Sequence, residues 1–363
     1  MIVPERILLF HTAFIGDIIL MLPLVQETRR RFPKAQISVL AIPAAAEALK
    51  NHPAIDDVMM YDKRGADRGL SGLIGIVRKL RERKFDLAIV PHRSIRSALV
   101  IRLAGIPRRI GFSTSAGRFL FSDVVHYDPD SHETTRDRAL LTPLDAAPAS
   151  SELPCLYPSR EDILTVDNLI AEWSSQKKVD VTQCVAIAPG SVWNTKRWPA
   201  ESFVALTGLM VKKGFSVVLI GGESDRLLCQ EIEQQLGKAP ILNAAGLLTI
   251  LQSAELIRRC KVIVTNDSAP MHMAVAMRTP VVALFGATVP EFGFAPLGEH
   301  DVVMETLGLP CRPCSIHGGD VCPIRTFVCM KQITPDSVFK AVEAVLQTSN
   351  THGTQTTSRS VKS

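Results

Sequence analysis

The chain has no uninterrupted apolar run near the roughly 20 residues that a membrane-spanning helix needs. A helical integral membrane protein is therefore excluded. The stretch Met1 to Glu5 lacks the cationic start of a secretory signal, and the apolar region Ile7–Leu24 is broken by His11, Gly16 and Asp17. Cysteine is sparse, with eight in 363 residues, too few for a disulfide scaffold. No P-loop of the form G-x-x-x-x-G-K-[ST] occurs, and no G-x-G-x-x-G follows the first strand, which disfavours a dehydrogenase. Excess charge is also small, at +5. That argues against a dedicated nucleic-acid binder, and it suits an enzyme meeting anionic substrates or an anionic membrane face. The expectation is a cytoplasmic protein, touching at most the surface of a membrane.

What is present is enough for two buried cores: 46% hydrophobic and 21% charged residues in a length that suggests two domains. Strands are expected at Arg6–Phe10, Ile37–Ala41, Asp57–Tyr61, Asp86–Pro91 and Arg109–Phe112. Helices are expected between them, near Ile18–Phe32, Ala44–Asn51, Leu70–Lys84 and Arg93–Ala104. The second half repeats the style, with strands at Val185–Ala188, Ser216–Gly221, Ile241–Asn243, Val262–Asn266 and Val281–Phe285. Its helices are expected near Glu201–Lys212, Ser224–Leu236, Thr249–Arg258 and Ser268–Met277. Short apolar strands alternating with helices read as parallel sheets covered on both faces. The expected division is an N-terminal domain with its linker over 1–175, a second domain over 176–347 and a disordered polar tail over 348–363. Two such domains facing one another make a cleft at the C-terminal ends of their strands.

Four strand-end loops could carry chemistry. In "IAPGSVWNTKRWP" (187–199), Gly190 and Ser191 can bring backbone N–H groups close to a phosphate, and Thr195 and Lys196 add a hydroxyl and a positive charge. The plain alternative is an ordinary strand-to-helix loop with a solvated lysine. In "VIVTNDSAPMHMAVAMRTPVVALFGAT" (262–288), Asp267 and Ser268 stand where a helix begins, and its N-terminus favours an anion. Asp267 is either an N-cap or an acceptor for sugar hydroxyls beside that anion. His272, one turn on, is more often a core residue than a catalyst. In "LIGGESD" (219–225), Glu223 could hold ribose hydroxyls or cap a helix. "FHTAFIGD" (10–17) is the corresponding loop of the first domain, with Asp17 facing the cleft.

Other polar groupings are weaker. "DPD" at 128–130 reads as a loop rather than a metal-binding pair. Cys311, Cys314, Cys322 and Cys329 have a spacing that could hold a structural zinc or simply form a compact loop of reduced thiols. The cationic runs at 27–34, 78–84 and 93–102 are either solvated helix faces or a surface for an anionic partner, with Arg93 and Arg96 placed best because they follow a strand end.

Taken together, "GDIILMLPL", "PHRSIRSAL", "GIPRRIGF", "PGSVWNTKRWP", "NDSAPMHMAVAMRTPVVALFGAT" and the cysteine loop resemble glycosyltransferase family 9, the lipopolysaccharide heptosyltransferases. They run in order over residues 6–345, and the cysteine loop is most similar to the heptosyltransferase II branch. The resemblance implies a GT-B fold of two Rossmann-like domains, with an ADP-heptose donor bound mainly by the second. It also implies inverting transfer to a heptose or Kdo sugar of a lipid A-linked acceptor, at the cytoplasmic face of the inner membrane. No cofactor is required for the transfer it implies. By position, Asp17 matches the family's general base and Lys196 the lysine that meets the donor phosphates. Asp267 matches the acid that binds the donor sugar, and Ser268 and Ala269 match positions whose N–H groups meet the diphosphate. Ala269 stands where the family commonly has Gly, and Glu223 matches the ribose-binding acid only loosely. Two other classes remain open: a nucleotide-sugar epimerase or hydrolase on the same fold, and a nucleotide-binding module without catalysis.

Overall fold

The computed structural model describes residues 3–144, 152–177 and 179–353. The chain divides into two compact units, Met1–Tyr157 and Pro158–Ser363.

The first unit carries β1 (Arg6–Phe10), β2 (Gln36–Ala41), β3 (Asp57–Met60), β4 (Leu87–Val90), β5 (Arg108–Phe112) and β6 (Asp123–Val125). Its helices are α1 (Ile15–Arg31), α2 (Pro43–Ala46), α3 (Gly69–Arg83), α4 (Ile95–Leu103) and α5 (Glu133–Ala139). The six strands form one parallel sheet in the order β3-β2-β1-β4-β5-β6. The register sets Leu9 beside both Val39 and Ile89 at the sheet centre. Both faces of β1 are covered, and Ile7, Leu8, Leu9 and Phe10 are fully buried. This is why the strand reads as an apolar run rather than an alternation. Sequence order reverses between β1 and β4, so the crevice beyond their C-terminal ends is this sheet's switch point.

The second unit opens on α6 (Arg160–Lys177) and carries β7 (Cys184–Ala188), β8 (Ser216–Leu219), β9 (Ile241–Asn243), β10 (Ile263–Asn266), β11 (Val281–Phe285) and β12 (Val302–Glu305). Its other helices are α7 (Ala200–Lys212), α8 (Arg226–Leu236), α9 (Ile250–Arg258), α10 (Ala269–Met277), α11 (Val328–Lys331) and α12 (Pro335–Gly353). The sheet order is β12-β11-β10-β7-β8-β9, again all parallel, with its reversal between β7 and β10. Trp198 is buried in its core. The indole stands edge-on to Phe203 at 4.9 Å, and Nε1 donates to the Ile333 carbonyl at 2.9 Å.

Several expectations shift. Helix α6, which falls mostly in the linker of the expected first domain, groups with the second unit; its Asp167 pairs with Arg259 at 2.8 Å. The division therefore falls at 157 rather than near 175. Strands β6 and β12 and helix α5 were not expected. Both strands are sheet edges, three or four residues long and largely half-exposed, so neither shows an apolar run. Helix α12 runs on to Gly353, so residues 348–353 of the expected disordered tail are helical. Residues 354–363 of that tail lie outside the described residues.

Candidate active site

In the second unit the loops at 189–199 and 267–268 leave β7 and β10, the two strands at the switch point. Asn266, fully buried, ties them together. Its Nδ2 donates to the Pro189 carbonyl at 2.8 Å, and its Oδ1 accepts the Trp198 N–H at 3.0 Å. Gly190 lies against Asp225. A Cβ built there would sit 2.2 Å from Asp225 Oδ1, so only glycine fits without displacement. Asp225 Oδ2 in turn accepts the Gly222 N–H at 3.0 Å.

The loops bring Lys196 and Asp267 into contact. Lys196 Nζ lies 2.6 Å from Asp267 Oδ2, with the two side chains only 13% and 7% exposed. The Thr288 hydroxyl, on the turn after β11, donates to the same carboxylate at 2.7 Å. Asp267 is therefore not the helix cap. Ser268 takes the N-cap position of α10, without a side-chain cap bond, and Ala269 and Pro270 follow as its first residues. Proline has no N–H, so the backbone donors at this helix end come from the residues before it. Thr195 and Ser191 are both buried; the Ser191 carbonyl accepts from Arg197 Nε at 2.7 Å. His272 is buried within α10, as a core histidine would be. Glu223 is exposed and paired with Arg226 at 2.8 Å. A buried cation–carboxylate pair beside a helix N-terminus can exchange partners. An arriving phosphate takes the ammonium, and the carboxylate turns to hydroxyl donors.

In the first unit Asp17 is the third residue of α1. The Phe14 N–H donates to its Oδ2 at 3.0 Å, so it caps the helix, and its side chain is half-buried. A second acid lies near it. Asp137 on α5 is fully buried, and its pKa is well above the usual carboxylate range through burial, then the charges of Glu133 and Asp17. Around the loop after β1 stand several basic groups. Lys63 Nζ donates to the Thr12 carbonyl at 2.7 Å and to the Thr12 hydroxyl at 3.0 Å. Its pKa is lowered by burial, then by Arg64 and Arg96. The His11 and His92 rings are 5.7 Å apart. Burial holds His92 near pKa 4, with Lys63 and Arg93 adding to the effect, and it pushes His11 well down too. Arg93 stacks on the Tyr127 ring at 4.4 Å, and Arg96 Nε donates to the Tyr61 hydroxyl at 2.7 Å. The grouping of Lys63, His11 and His92 around this loop, and of Asp137 near Asp17, was not legible, because these residues come from four separate segments of the sequence.

Several cations of the other two runs pair with acids of their own unit. Arg29 pairs with Asp56, Arg30 with Glu27 and Glu152, and Arg31 with Glu27. Arg78 pairs with Glu82, and Arg83 with Asp57. Among the cysteines, Cys311, Cys314, Cys322 and Cys329 are all free thiols. Burial raises the Cys329 pKa, and the nearby Cys314, Cys322 and Cys311 add to it. No group of three or more His, Cys, Asp or Glu among the described residues could hold a metal ion, so the geometry lends the zinc expectation no support.

The sequence profile of glycosyltransferase family 9 (heptosyltransferase) matches residues 74–319. The chain belongs to this family. The lipooligosaccharide heptosyltransferase 2 of Haemophilus ducreyi is 29% identical over 315 residues, covering 83% of this chain and 89% of the relative. A solved family 9 glycosyltransferase from Veillonella parvula superposes with a TM-score of 0.80 at 25% identity, covering 94% of this chain and 97% of the other. The structure of E. coli ADP-heptose LPS heptosyltransferase II gives a TM-score of 0.76 at 27% identity, covering 95% and 99%. The two parallel six-stranded sheets are those of the GT-B fold of the family 9 heptosyltransferases.

Proposed function

We propose that this family 9 heptosyltransferase transfers heptose from ADP-heptose to a heptose or Kdo sugar of the lipid A-linked lipopolysaccharide core, inverting the anomeric centre. The observation that carries the reading is the buried Lys196–Asp267 pair at the switch point of the second sheet. It supplies what a sugar diphosphate needs: a cation for the phosphates and a carboxylate for the sugar hydroxyls. The names of relatives support the reading: those matching over most of the chain are lipooligosaccharide or lipopolysaccharide heptosyltransferases, and a solved relative is an ADP-heptose LPS heptosyltransferase II.

Donor binding moves the Lys196 ammonium onto the diphosphate, and Asp267, still held by Thr288, accepts from the sugar. The backbone N–H groups of Ser268 and Ala269 meet the same diphosphate at the N-terminus of α10. As the anomeric bond breaks, negative charge grows on the leaving ADP, and these groups stabilise it. Ser191 and Thr195 belong to the phosphate loop, and Glu223 is the acid assigned to the ribose hydroxyls in this reading. Asp17 is the general base that takes the proton of the attacking hydroxyl. Its bond from the Phe14 N–H fixes the carboxylate's orientation. Arg93 and Arg96 contact the anionic acceptor.

The reaction takes place at the cytoplasmic face of the inner membrane, with the protein in peripheral contact. No helix among the described residues is long and apolar enough to cross a membrane. The test is a transfer assay pairing ADP-heptose with Kdo-only and heptose–Kdo lipid acceptors. Transfer to one of them, abolished by Asp17→Ala with ADP affinity intact, is the expected result. Near-normal transfer by Asp17→Ala removes Asp17 as the base. Consumption of ADP-heptose without any acceptor points instead to a hydrolase or epimerase.

A further inference from the structure

The Lys196–Asp267 pair is gripped from both sides by one loop, the cysteine-bearing segment between β12 and α11. Arg312 lies in it with its side chain only 6% exposed. Its Nε donates to the Gly286 carbonyl at 2.6 Å, Nη2 to the Thr288 carbonyl at 2.7 Å and Nη1 to the Thr306 carbonyl at 3.3 Å. Glu305 Oε2, 2.6 Å from Nη2, balances its charge. The rigid fork of a guanidinium suits this task, because several donors are fixed in one plane. Gly286 and Thr288 belong to the turn after β11, and Thr288 is the residue whose hydroxyl holds Asp267.

Further along, the same loop holds the carrier of Lys196. The Gly319 N–H donates to Thr195 Oγ1 at 2.7 Å, and the Thr195 N–H donates back to the Gly319 carbonyl at 2.9 Å. Asn194 Nδ2 donates to the Asp320 carbonyl at 3.1 Å. Gly318 has φ +82°, and a Cβ there would lie 3.1 Å from both Thr195 Oγ1 and Lys196 Cγ. The loop thus connects the two backbone segments that present the ammonium and the carboxylate.

We propose that Arg312 and the Gly318–Asp320 turn are positioning residues of the donor site: they fix Lys196 relative to Asp267 and so set the affinity for a nucleoside diphosphate. The inference rests on the donor reading above, and a calorimetric titration with ADP tests the two separately. Wild-type protein that does not bind ADP overturns the donor reading and this inference with it. With wild-type binding in hand, Arg312→Ala and Thr288→Ala each weaken ADP about tenfold, a scale on which residues of one network couple. The double variant binds no more weakly than the weaker single variant, and Arg312→Lys recovers part of the loss. The acceptor KM stays at its wild-type value, which a general loosening of the fold would not allow. Wild-type ADP affinity in folded Arg312→Ala refutes the role of Arg312, and additive losses in the double variant refute the shared path. Gly318→Ala probes the Lys196 side independently. A folded Gly318→Ala with unchanged ADP affinity removes the turn from the proposal, and this test stands even where Arg312→Ala does not fold.

Discussion

Lys196→Met removes an ammonium from a nearly buried pair and keeps most of the side chain's apolar volume. At the observed 2.6 Å, with an effective dielectric of about 20, the Coulomb attraction is about 6 kcal/mol. Desolvation of both groups offsets much of this, and removing one partner of a buried pair generally costs about 3–5 kcal/mol. Thr288 still donates to Asp267 in the variant, which places the expected loss at the lower end, about 3 kcal/mol. Urea unfolding measures it. Lys196→Met with Asp267→Asn leaves no orphaned charge and regains most of that stability. ADP binding does not return, because the phosphate partner is still missing. A double variant as unstable as Lys196→Met refutes the assignment of the loss to a stranded carboxylate. Unchanged ADP affinity in Lys196→Met refutes the phosphate role of the lysine.

Gly190→Ala forces a methyl group to within 2.2 Å of Asp225, so Asp225 moves and the phosphate loop opens. Overpacking of this kind costs about 1–3 kcal/mol, and the donor KM rises; an unchanged donor KM shows that the tight approach is irrelevant to binding. Asn266→Ala strands the Trp198 N–H and the Pro189 carbonyl inside the second unit, at about 1–3 kcal/mol for each unsatisfied group. Thermal denaturation checks this, and an unchanged Tm contradicts it. His52, buried with its Nδ1 accepting the Ala54 N–H at 3.1 Å, has its pKa held down to about 4 by burial. The unfolded chain takes up the proton first as pH falls, so stability is full above about pH 6.5 and declines towards pH 4. The shift from 6.5 to about 4 corresponds to at most about 3 kcal/mol, and His92 adds a decline in the same direction. His52→Asn therefore shows a shallower loss of urea midpoint between pH 7 and 4.5, and an equally steep loss refutes the role of His52.

The central strands were legible because each is a short run buried on both faces, and the loops because Gly190 and Asp267 closely follow strand ends, with Lys196 in the same loop as Gly190. Legibility failed where meaning depends on a distant partner. Arg29 and Arg30 look like part of a free cationic surface until Asp56 and Glu152 are seen beside them. Asn266 reads as the last residue of a strand, yet its amide joins a backbone segment nearly 80 positions earlier. Arg312 sits among cysteines that draw attention to metal, while its guanidinium holds the turn that carries Thr288. Sequence spacing says nothing about any of these contacts, because each is made by the sheet's crossovers rather than by one element.

Asp17 shows the limit differently. Standing at the start of an apolar helix, an acid can cap that helix or act as a reagent, and in this structure the first role is observed. The Phe14 N–H holds one carboxylate oxygen, which is the cap. That same bond restricts rotation of the side chain, and a general base works only when its accepting lone pair is already aimed at the proton it removes. The nearby acid Asp137 is fully buried, and its own pKa is raised through burial, then the charges of Glu133 and Asp17. Capping is therefore compatible with the proposed base role rather than an alternative to it: the bond from Phe14 engages Oδ2, and it limits the rotamers that the carboxylate samples.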